Sequence, residues 1–132
     1  MPSLLACKYD REKEQDGVWF TTEEGWKLKI ARIGNRKYKQ AIRKVAIDNQ
    51  RSIKKDKSGE LILGLSKEAA AEYILLDWKD LLEDDEKTVM PYSSKRALEI
   101  FNEYDEFYEL ALEYASREDE YRAELVEEAV KN

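Results

Sequence analysis

The densest run of side chains able to hold a hard cation is Asp80, Glu83, Asp84, Asp85 and Glu86, five carboxylates within seven residues. An EF-hand loop needs a central glycine and a spaced terminal glutamate, and both are missing, so the run reads as a solvated acidic loop. A second candidate, "GELILGLS" at 59–66, has the G-x-x-x-x-G outline of a phosphate loop. Leu65-Ser66 stands where that motif needs Lys followed by Ser or Thr, and without the lysine nothing reaches the β and γ phosphates. The chain has no histidine and one cysteine, Cys7. The commonest general base and the Ser-His and Cys-His nucleophile pairs are therefore gone. Cysteine zinc clusters and Glu-x-x-His di-iron sites go with them. Carboxylates alone can do glycosidase chemistry, but none of the 29 acids is singled out as a pair with a reason for a raised pKa. The expectation is a non-enzyme with no catalytic residue, no metal and no cofactor.

Binding is the better-supported chemistry. Twelve Lys and Arg fall between residues 27 and 57, with Trp26 and Tyr38 beside them, a composition that can track a phosphate backbone. A small nucleic-acid-binding protein using the basic 35–55 helix is thus one reading. Against it stands a whole-chain pI near 4.9, since a net negative chain repels phosphate at long range. Net charge is −6, distributed as −3 over residues 1–25, +10 over 26–57 and −13 over 58–132. Such halves can neutralise each other, meet a second copy head to tail, or meet different partners. The aromatics Phe101, Tyr104, Phe107, Tyr108, Tyr114 and Tyr121 keep roughly helical spacing. They fit a core and an interface equally well, because a tyrosine tolerates half-exposure with its hydroxyl wet.

The elements that must position these groups follow from length and periodicity. At 132 residues, with 42% apolar residues and 14 aromatics, the chain reads as a single domain spanning 1–132. One cysteine allows no intrachain disulfide, which fits a reducing cytoplasm. No apolar run approaches the ~18 residues of a membrane span, and "MPSLLACKYDREKE" lacks the basic region of a signal peptide. The expected fold is mainly α, a small helical domain with an N-terminal β-hairpin packed on a helical bundle. Residues 1–16 form a polar lead-in. Residues 17–33 form the hairpin, with Val18 and Phe20 on one side and Trp26, Leu28 and Ile30 alternating with Lys27 and Lys29. Residues 35–116 form the helical core. Asn35 caps a basic amphipathic helix to about 54, and "KDKSGE" makes a turn. Ser66 caps a buried central helix through "KEAAAEYILLDWKDLL", with 61–65 either a short strand or its lead-in. "EDDEKTVMPY" is a charged loop, and Ser93 or Ser94 starts a helix that Asp105 interrupts by capping another. Residues 117–132 form a polar C-terminal helix.

In order along the chain stand "DGVWF", "LKIARIGNRKY", "AAAEYILLDWKDL", "PYSSKRALEIF" and "EFYELALEYA". This ordered set resembles the tail assembly chaperones of long-tailed bacteriophages and prophages, over roughly residues 16–115. It departs from their pattern at Asp77, where a glycine is frequent, and at Arg36, where a proline is frequent. The resemblance implies a non-catalytic protein that binds the helical tape-measure protein, keeps it soluble and helps the tail tube assemble around it. It also implies a homo-oligomer, a contact with the tail-tube protein through a longer frameshifted form, residence in the host cytoplasm, and absence from the mature virion. The residues expected to serve partners are Lys27 and Lys29, on the side of the hairpin left for a neighbour, and Phe101, Tyr104 and Tyr108, from the aromatic stripe.

Overall fold

The computed structural model describes Leu4 and residues 8–122. The fold is mainly α with a three-stranded antiparallel sheet. Helix α1 (Arg11–Asp16) forms where a lead-in was expected. Asp10 supplies the reason: its carboxylate accepts from the backbone N–H groups of Glu12 and Lys13. Arg32 pins the helix to the body, donating from its backbone N–H to the Glu14 carbonyl at 2.9 Å and pairing with the Glu14 carboxylate at 3.3 Å.

Strands β1 (Val18–Thr21) and β2 (Lys27–Ile30) make the expected hairpin, with Phe20 opposite Leu28. Gly25 turns it with φ +90, a conformation that suits glycine. Strand β3 (Leu75–Lys79) pairs with β2 on its other side, giving the order β1-β2-β3. This corrects the expected helix through residue 82. Buried Ile74, Leu75, Trp78 and Leu81 fall at spacings of one, three and three, which imitate one face of a helix. A register irregularity at Lys29/Ile30, where Asp77 and then Leu75 are the partners, puts Leu75 and Trp78 on the same inner face despite their odd separation.

Asn35 caps α2 (Arg36–Asp48), accepting from the Tyr38 N–H at 2.9 Å. Its amide also donates to the Arg32 and Tyr73 carbonyls, so the cap ties the hairpin exit to the next helix. The basic helix breaks at Asn49, and α3 (Gln50–Lys55) follows. Helix α4 (Glu60–Tyr73) starts at Glu60, before Ser66, and takes up the ambiguous 61–65 stretch. Asp56 orders its start by accepting from the Leu61 N–H at 2.7 Å. Ser93 caps α5 (Ser94–Glu103), accepting from the Arg96 N–H. The capping position of α6 (Asp105–Ala115) is Tyr104 and not Asp105. Asp105 is used elsewhere, taking the buried Lys67 ammonium at 2.8 Å.

The core lies between the sheet's inner face and α4, α5 and α6. The described part of the expected C-terminal helix is a short 3-10 turn, Glu118–Tyr121, which delivers Tyr121 fully buried into that core. Residues 123–132, the rest of that expected helix, lie outside the described residues.

Candidate interaction groove

The charged loop and the helices that follow it build one concavity. "LLEDDEKTVM" folds back on itself: Leu82 bridges Val89, and the Met90 N–H donates to the Leu81 carbonyl at 2.8 Å. The Trp78 indole N–H donates to the Met90 carbonyl at 2.8 Å and locks this loop to the sheet. The loop then faces α5 and α6 across an open groove of about 930 Å³. Trp26, Leu81, Met90, Ile100, Phe107 and Leu110 supply its apolar lining. Glu24, Asp80, Glu83, Asp84, Glu86, Glu103 and Glu106 are its acids, against one lining cation, Arg96.

The charge balance of the rim is therefore strongly negative. Arg96 is already committed, pairing with Glu99 at 2.9 Å and Glu83 at 3.2 Å. The hydrogen bond to Glu99 raises its pKa and keeps it charged. Tyr104 reports the field directly: the Glu103 carboxylate, then Asp84, raise its phenol above the ordinary value. Three members of the acid run seen in the sequence have partners of their own. Asp80 meets Lys27 at 3.1 Å, Glu83 meets Arg96, and Asp85 accepts from the backbone N–H groups of Lys87 and Thr88 within its own turn. Among the described residues, no three His, Cys, Asp or Glu side chains converge as a metal site would require. No described helix is long and apolar enough to cross a membrane.

The expected partner residues separate into three environments. Tyr104 is 49% exposed and stands at the groove. Phe101 is fully buried and Tyr108 nearly so, their rings 5.3 Å apart, so the folded chain does not offer them as a surface. Phe107, Tyr108, Ala111 and Tyr114 line the inner face of α6 as Ala97, Ile100 and Phe101 line that of α5, and the turn between the two helices leaves the Tyr104 ring outside.

Lys27 and Lys29 lie on the outer face of the sheet, away from the groove's floor. The structure adds Trp19, 40% exposed, with the Lys79 ammonium 4.6 Å from its ring centre. Lys79 was hidden in the sequence because its strand read as helix. The groove itself left one legible trace: an apolar pair, six polar residues and a second apolar pair at 81–90, the pattern of a short hairpin.

A family model described as YdaY prophage protein matches residues 33–132. The chain belongs to this YdaY prophage protein family. The match begins after the hairpin and takes in every helix from α2 onward, so the groove's loop and both helices facing it lie within the family's own region. No curated protein and no solved structure matches the chain significantly.

Proposed function

We propose that this prophage protein is a non-catalytic tail assembly chaperone, a binding protein for the tape-measure protein during assembly of the tail tube. The single observation that carries the reading is the groove. An uncovered concavity with an apolar floor, flanked by two helices and rimmed by charge, is what a protein presents to another protein's helix. The prophage family is in keeping with it, as is the ordered resemblance of the sequence to phage tail chaperones. A long helical client exposes apolar side chains before the tube encloses it, and a groove of this kind covers them without any chemistry. The tail-tube protein, reached through a longer form of the chain, and residence in the host cytoplasm belong to the same proposal.

Co-expression with the prophage's own tape-measure protein tests it. The client is expected to become soluble and to co-purify at high salt, because the floor of the groove is apolar. A client that stays insoluble while this protein elutes alone overturns the reading.

A second reading has one observation in its favour. Among the described residues, none of the eight Lys and Arg of α2 and α3 is held in an ion pair, which leaves a basic surface open to phosphate. Nucleic acid bound there would be lost steeply with added salt. Tape-measure binding through an apolar floor would not, and the salt profile of the bound fraction separates the two.

A further inference from the structure

The basic surface and the acidic groove belong to one chain but never meet within it. No residue of α2 or α3 lines the groove. Helix α2 turns Tyr38, Ala41, Ile42 and Val45 toward the body and leaves Arg36, Gln40, Arg43 and Ile47 on the opposite side, with Lys44 beside them. Ile47 is 65% exposed, an apolar knob at the C-terminal end of this cationic face. The groove has the inverse pattern, an apolar floor inside a carboxylate rim. At 13 residues, α2 is about 20 Å long and reaches across a site of this size.

We infer that the outer face of α2 docks into the groove of a second copy, with Ile47 over Trp26 and Phe107, and Arg43 and Lys44 against Glu103 and Glu106. The contact is head to tail, joining different surfaces of the two copies, so a pair keeps one free groove on one copy and one free basic helix on the other for the next. A closed ring or an open chain follows, according to the angle between copies. The inference rests on the reading of the groove as a helix-binding site. It gives that site a resting occupant: self-association covers the apolar floor until a client helix displaces the neighbour.

Charge reversal tests it on the full-length protein by sedimentation velocity. The wild type is expected to associate with rising concentration and to dissociate with added salt. Arg43→Glu with Lys44→Glu, and separately Glu103→Lys with Glu106→Lys, are each expected to weaken association at least tenfold. All four positions are exposed, and circular dichroism checks that the helices persist. Mixing the two variants pairs each reversed surface with a matching one and is expected to restore assembly of alternating copies. A wild type that stays monomeric at its highest soluble concentration overturns the inference, as does a mixture that fails to associate. The same proteins run through the tape-measure co-purification keep the two ideas apart. A monomer that still captures the client sinks only the self-association, and an assembling protein that ignores the client sinks only the chaperone reading.

Discussion

The Tyr121 hydroxyl donates to the Ile30 carbonyl at 2.9 Å, joining residues 91 positions apart. Ile30 ends β2 and is fully buried. The bond fastens the 3-10 turn beneath the sheet while the Tyr121 ring packs 6.3 Å from Phe20. Tyr121→Phe keeps the ring and removes the bond, so a loss of about 0.5–1.5 kcal/mol is expected in urea unfolding. An unchanged midpoint would mean that water replaces the hydroxyl.

Alkaline pH should unfold the protein through its buried phenols. Burial pushes Tyr108 up to about 12 and Tyr121 further still, from an ordinary value of 10.0. In the unfolded chain both ionise near the ordinary value, while in the folded chain they hold their protons. Their contribution is therefore complete below pH 10 and is lost as pH rises toward the folded values, each by up to about 1.4 kcal/mol per pH unit. Stability measured in urea at several pH values above 9, alongside phenolate absorbance, checks this. Ionisation of all tyrosines in one step near pH 10, with stability unchanged, would contradict it.

Gly17 and Gly25 share a positive φ, +87 and +90, but differ in surroundings. A Cβ at Gly17 would sit 3.1 Å from the Leu76 side chain and 3.2 Å from the Ile30 backbone, whereas at Gly25 nothing lies within 4 Å. Gly25→Ala should cost about 1–2 kcal/mol from backbone conformation alone. Gly17→Ala should cost more, because the backbone of β2 has to yield as well. Equal losses in thermal or urea unfolding would show that the sheet absorbs the added methyl group freely.

Phe101 and Tyr104 are three residues apart and should fail in different assays. Phe101→Ala removes a fully buried ring, and a loss of about 3–5 kcal/mol is expected. Tyr104→Ala removes a half-exposed ring at the groove, so stability should stay within about 0.5 kcal/mol while client capture weakens. If Tyr104→Ala captured the tape measure as well as the wild type, the groove's outer edge would have no part in binding.

Lys29→Glu offers a control on the sheet's outer face. Lys29 sits across from Trp19 and Asp77 in the sheet, is not part of α2 and does not line the groove. With association running through α2, its reversal should leave the sedimentation profile unchanged. A smaller assembly would instead point to the lysine face of the hairpin as the neighbour's contact.

Local chemistry made much of this fold legible in one dimension. The hairpin follows from strict alternation around Leu28 and Ile30, with Gly25 where the turn needs it. Asn35 and Ser93 announce their helices because a capping bond reaches only three residues along the chain. The absence of histidine and the uneven charge are properties of composition, and no fold alters them.

Pairing across distance was decided only by the tertiary structure. Residues 75–79 are buried at helix-like spacing, and only the hydrogen bonds offered by β2, with their irregular register, make them a strand. Phe101 and Tyr108 became core through the packing of α5 and α6 on the sheet, and Tyr104 became surface where the chain turns between the two helices. The groove exists because Trp78 holds the Met90 carbonyl and so sets the acidic loop opposite two helices. Periodicity records which side of an element is apolar, whereas what covers that side depends on contacts between residues far apart in the chain.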